Sequence, residues 1–243
     1  MKYRLILATA IFCVSAAVSA TEKVESTDSR GVTQKFILTS PHDKPVANVI
    51  LIAGGHGKLS LSGSSAINIG WGAKNNLVRT RQDYADKGFL VATMDAPKNR
   101  KKMNAIWRMS EEHAEDINAV VNYMKQQADV PTWVIGTSMG SFSAANAAIR
   151  LKDSIDGVVL TSSVTKSRSK WSIADDYPDG VINMPLDEVT IPVLLVSHED
   201  DRCKITPPSD ISKLAGSFTA SSKVEKVLVS GGSRPKSKPC KAL

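Results

Sequence analysis

The stretch TWVIGTSMGSFSAANAA, residues 132–148, sets a serine between two glycines, with an apolar run ahead of it and an alanine-rich run behind. Trp133 to Ile135 reads as a buried strand, Met139 to about Leu151 as a helix, and GTSMG as the turn between them. Glycines at 136 and 140 permit a turn tight enough to lift the Ser138 hydroxyl out of the backbone. The helix start behind it favours negative charge developing nearby. A five-residue match is weak alone; the flanking strand and helix favour a nucleophile over a merely structural turn. A serine hydroxyl needs a base to take its proton, and the chain has only four histidines.

Outward from that turn, short apolar runs alternate with helical patterns. Strands are expected at 32–38, 48–53, 88–94, 157–161, 192–197 and 223–230. A helix starts at Ser110 with two acids in its first turn and an apolar stripe of Ala114, Ile117, Val120, Val121 and Met124. Residues 209–216 form a second helical candidate, and 162–190 read as a polar, irregular excursion or small lid. Near-continuous apolar strands separated by helices indicate a parallel sheet covered on both faces, in one domain over 21–243.

Beyond the carboxyl ends of such strands, functional groups gather. AGGHG, 53–57, follows a buried strand, where such a fold provides an N–H to an oxyanion hole. Gly55, His56 and Gly57 are all candidates, with the Met139 N–H as the other donor; a plain glycine turn is the alternative. VSHEDDRCKITP, 196–207, offers Asp200 and Asp201 as the carboxylate that orients a catalytic imidazole, against a pair of solvated acids. Trp71, Trp107 and Trp171 could line an acyl pocket, though core packing suits each as well.

Residues 1–20 carry Lys2 and Arg4, an apolar stretch from Leu5 to Val18 and a small-residue Val18-Ser19-Ala20 end, which together read as a secretory signal peptide. Export to the periplasm or the medium is expected, with no stable membrane insertion after cleavage before Thr21. Cleavage removes Cys13 and leaves Cys203 and Cys240 where disulfides persist, as a bridge or as free thiols. Two cysteines without neighbouring histidines make a poor zinc site. The formal charge of +7 falls to +5 without Lys2 and Arg4. Its clusters at 98–102, 165–170 and 233–241 lack interleaved aromatics, so nucleic-acid binding is not expected.

Across NVILIAGGHG, NNLVRTRQDYADKGFLVATMDAP, GTSMGSFSAA and HEDDRCKITP the chain resembles the α/β-hydrolase superfamily, and within it small exported bacterial α/β hydrolases. The resemblance implies an α/β-hydrolase fold, a mostly parallel sheet flanked by helices, and hydrolysis of a small ester or amide through an acyl-enzyme on Ser138, with no metal or cofactor. In that group an H-x-x-D-x-C pattern marks the triad acid. Carried over, it starts at His198, makes Asp201 the acid, and supports a bridge from Cys203 to Cys240.

The resemblance also implies a histidine soon after the second cysteine, whereas this sequence has none after His198. The expectation is therefore an incomplete C-terminal end, without the final histidine loop and helix, and with weak activity or none. His42 lies in a turn and His113 reads as helix surface. His56 and His198 are weak candidates for the base. A non-catalytic ligand- or protein-binding relative is the alternative function. Oligomeric state is not legible.

Overall fold

The computed structural model describes residues 21–63, 67–232 and 239–240; the expected signal peptide at 1–20 lies outside them. Its strands are β1 (Thr21–Ser29), β2 (Val32–Ser40), β3 (Ala47–Ile52), β4 (Phe89–Met94), β5 (Thr132–Thr137), β6 (Gly157–Thr161), β7 (Val193–His198) and β8 (Val224–Val229). The helices are α1 (Asn76–Arg79), α2 (Arg81–Ala85), α3 (Ala105–Arg108), α4 (Glu111–Gln127), α5 (Gly140–Arg150) and α6 (Ile211–Gly216). Among these, no helix is long and apolar enough to cross a membrane.

One sheet takes the order β1-β2-β4-β3-β5-β6-β7-β8. The β1–β2 and β2–β4 pairs are antiparallel, and every pair from β4 to β8 is parallel. This is the mostly parallel, helix-flanked α/β sheet expected. Every residue of ANVILI in β3 is buried, because both faces are covered. Val49 and Leu51 pack with Leu77 and Ala85 of α1 and α2. The alternate residues Ile50 and Ile52 join Ile117, Val120 and Met124 of α4 and Ala144 and Ala148 of α5 on the other face.

After β3 the chain moves to β4 on one side and then returns to β5 on the other. The carboxyl ends of β3 and β5 therefore flank the point where strand order reverses, the usual place for a crevice in such sheets.

Three features differ from the sequence reading. β1 was not expected; it is a largely polar edge strand paired along its whole length with β2. Residues 162–190 are not a polar excursion or lid: Val164, Ile173, Val181, Leu186 and Val189 are buried in the main core, and two short 3-10 helices carry the chain. His113, expected on the surface, is 1% exposed. At the far edge, β8 leaves Val227, Leu228 and Val229 41–54% exposed.

Candidate active site

Ser138 follows β5 directly and precedes α5. Its φ of 51° lies in the left-handed region, which a serine adopts only under constraint from its surroundings. Two glycines supply that constraint. A Cβ on Gly136 would overlap the backbone of Gly140, and one on Gly140 would overlap the carbonyl oxygen of Ile52 at the end of β3. The Ser138 N–H donates to Thr161 O (3.0 Å), and its carbonyl accepts from the Ser141 N–H (2.8 Å) and hydroxyl (2.6 Å). Met139 caps α5, so its N–H stands ahead of the first intrahelical bond.

The 53–57 loop starts where β3 meets Gly140, so the elbow and this loop adjoin. Gly55 and Gly57 have φ of 60° and 71°. A Cβ on Gly55 would press on the Trp71 ring, and one on Gly57 would overlap Arg108 and Met103. The Gly57 N–H donates to Gly54 O (3.2 Å), while among the described residues the Gly55 and His56 N–H groups reach no backbone acceptor. Beyond the loop, Asp95 at the end of β4 accepts from the N–H groups of Leu59 (2.5 Å), Leu61 (2.9 Å) and Ala96 (2.7 Å). This carboxylate fixes the exit of the loop.

The two candidate acids differ in setting. Asp200 is exposed, whereas Asp201 is half-buried and oriented. Asp201 Oδ1 accepts from the Cys203 N–H (2.8 Å) and Oδ2 from the Thr206 hydroxyl (2.8 Å). The loop is tied down by a Cys203–Cys240 disulfide that spans 37 residues. Of the two arrangements left open for these cysteines, the structure has the bridge.

Among the described residues no histidine is hydrogen-bonded to Ser138. His42 contacts Asp43 (3.2 Å) in the turn leading into the amino end of β3, opposite the candidate site. His198 Nδ1 accepts from the Asp200 N–H (3.0 Å), which leaves Nε2–H to donate to Gly231 O (2.9 Å). His56 Nδ1 accepts from the Lys58 N–H (3.2 Å), so its neutral ring carries the proton on Nε2. Burial, then the Arg108 charge, hold His56 below the ordinary histidine range. Its ring lies 3.6 Å from the half-exposed Trp71 ring. His113 Nε2 meets Ser143 Oγ at 2.9 Å, a serine–histidine pair wholly inside the core. Burial, then Arg108 and Arg30, lower His113 to about 3, so it is neutral and no proton acceptor.

The structure thus brings Ser138, Met139 and the 53–57 loop together and holds Asp201 in an oriented loop. Neither His56 nor His198 is hydrogen-bonded to Ser138 among the described residues. Sequence reasoning passed over Arg108, Ser143 and His113, which form one buried network beneath the loop. One signal was available: His113 lies four, seven and eleven residues before Ile117, Val120 and Met124, on the same helical stripe. Of the tryptophans, Trp107 is buried and Trp71 caps the glycine loop.

A family model described as serine aminopeptidase, S33, matches residues 79–184, a span that holds Ser138 and stops short of Asp201. Among solved structures, an esterase of Pyrococcus furiosus superposes with a TM-score of 0.61 at 15% identity, over 87% of this chain and 84% of that one. A cold-adapted esterase from an Arctic intertidal metagenomic library gives 0.58 at 15% identity, over 92% and 90%. A lidless α/β serine hydrolase of Xanthomonas campestris gives 0.56 at 13%, over 86% and 85%. No curated protein sequence matches the chain. At these identities the structural likeness speaks for the fold.

Proposed function

The chain has the α/β-hydrolase fold, and from that premise we propose that it is a serine hydrolase of small carboxylic esters or amides, working slowly through an acyl-enzyme on Ser138. The observation that carries this reading is the backbone of Ser138, held at φ 51° between two close-packed glycines. That geometry costs on the order of 1–3 kcal/mol and has one evident use, presenting a nucleophile at the carboxyl end of the sheet, even though Ser138 itself is only 4% exposed.

In this reading Ser138 Oγ attacks the substrate carbonyl, and the Met139 N–H and an N–H of the 53–57 loop receive the oxyanion. Collapse of the tetrahedral species expels the alcohol or amine and leaves an ester on Ser138; water then releases the acid. Asp201 is the carboxylate that would orient a protonated base. Among the described residues no histidine is hydrogen-bonded to Ser138, so in this reading the residues present leave proton removal to solvent. Loss of a triad histidine costs about 10⁶ in kcat where it has been measured, with roughly 10³–10⁴ over water surviving from oxyanion binding and positioning.

The test is hydrolysis of p-nitrophenyl acetate by residues 21–243, with Ser138→Ala as control. Slow turnover that vanishes in the variant is expected; equal rates would overturn the reading. That no described histidine is hydrogen-bonded to Ser138 favours a second reading, a pocket that binds without chemistry. A ligand held equally by wild type and Ser138→Ala, with no Ser138-dependent turnover, would establish that alternative.

Export is part of the same proposal and draws support from the Cys203–Cys240 bridge, since disulfides persist in oxidising compartments. A mature chain beginning at Thr21, read by mass spectrometry of protein from the periplasm or medium, is the expected result. Material still carrying residues 1–20 would contradict it.

A further inference from the structure

Arg108, the last residue of α3, is fully buried, and its four hydrogen bonds all end on neutral oxygens. Nε donates to Met103 O (3.2 Å) and Nη1 to Ser143 Oγ (2.9 Å). Nη2 donates to Ala53 O (3.1 Å) and Gly55 O (3.3 Å). Burial lowers its guanidinium to about 9, which leaves it protonated at neutral pH. Among the described residues Arg108 has no counter-ion, and a buried charge so placed carries a penalty of several kcal/mol, which packing alone does not explain.

The oxygens that it gathers explain more. No peptide bond among the described residues is cis, and across a trans peptide the N–H points opposite to the C=O. Turning the Gly55 carbonyl toward Arg108 in the core therefore turns the His56 N–H outward. The Gly57 N–H is already spent on Gly54 O. Of the three residues whose N–H could serve an oxyanion hole, His56 is the one free of a backbone acceptor whose N–H Arg108 turns away from the core; the Gly55 N–H sits on a peptide that Arg108 does not hold. Arg108 also reaches α5 through Ser143, five residues after Ser138, so one guanidinium links the nucleophile's helix to the loop. Its field is felt at the loop, where it helps to lower the His56 ring.

We propose that Arg108 is the positioning residue of the oxyanion hole: its fork fixes the His56 N–H as the donor opposite Met139, and its charge favours the anion formed there. The inference rests on the reading of Ser138 as nucleophile. Lysine cannot substitute, because a single ammonium does not span two loop carbonyls and Ser143 as a planar fork does.

The experiment compares wild type, Ser138→Ala, Arg108→Lys and Ser143→Ala in p-nitrophenyl acetate hydrolysis, with folding followed by circular dichroism. Arg108→Lys is expected to fold and to lose about 100-fold in kcat, the scale of removing one oxyanion donor, with KM within about threefold. A kcat loss that merely tracks the folded fraction, or no loss, overturns the inference. Should Arg108→Lys not fold, Ser143→Ala decides, since it removes one of Arg108's four contacts, with the His113 bond, and spares the two loop carbonyls: lowered kcat at unchanged KM supports the inference and wild-type kinetics overturn it. Turnover equal in wild type and Ser138→Ala sinks the hydrolase reading and this inference together. Ser138-dependent turnover that both other variants leave untouched sinks the inference alone.

Discussion

Gly140 lies against the carbonyl oxygen of Ile52 with no room for a side chain between them. This contact joins the start of α5 to the end of β3, and so sets Ser138 beside the 53–57 loop. Alanine at 140 would gain about 1 kcal/mol in helix propensity. Against that, its Cβ would meet backbone, which yields only by moving a strand. The overlap wins. Gly140→Ala is expected to lower stability by about 1–3 kcal/mol in urea denaturation and to remove Ser138-dependent turnover. Wild-type values for both would contradict the packing account.

The buried pair of His113 and Ser143 makes stability depend on pH. The folded protein holds His113 neutral down to about pH 3, whereas the unfolded chain takes up a proton near the ordinary 6.5. Its contribution is complete above 6.5 and is lost as pH falls, at up to about 1.4 kcal/mol per unit. Denaturation midpoints between pH 7.5 and 4.5 should therefore fall more steeply for wild type than for His113→Gln. Parallel slopes would rule out a neutral buried imidazole.

Cys203 bonds to Cys240 and, through its N–H, to Asp201. By the loop-closure argument, a bridge spanning 37 residues is worth about 4 kcal/mol. Cys240→Ser should lose stability on that scale, and wild type in strong reductant should match it. A variant as stable as oxidised wild type would show that the bridge restrains little in the unfolded chain.

Ser138→Gly separates strain from chemistry. Glycine adopts φ 51° freely, although it also gives the unfolded chain more freedom. A net gain of about 1 kcal/mol is expected, together with loss of turnover. Destabilisation would mean that the surroundings impose no strain on the serine.

Local features were legible in the sequence. GTSMG announced the elbow because strand, turn and helix are contiguous there, and 157–161 emerged as a strand with the bounds expected. β1 escaped because TEKVESTDS has a single large apolar residue, Val24, and becomes a strand only by pairing with β2. Residues 162–190 looked polar because their core residues follow no fixed period; their burial is a tertiary outcome. Arg108 was invisible for the same reason: nothing in WRMSEEH says that the guanidinium meets carbonyls 53 and 55 rather than water. The choice among Gly55, His56 and Gly57 likewise turned on peptide orientation, which composition does not encode.

The backbone at Ser138 also bears on how this chain can change over generations. Serine codons of the AGC and AGT type lie one base from glycine and one base from asparagine, the residues that best tolerate a left-handed φ. A lineage with no use for the hydroxyl would gain on the order of 1 kcal/mol by that single step. Drift alone therefore runs away from serine at this position. A descendant that had given up acyl chemistry for binding should show the exchange here before it loses the glycines on either side.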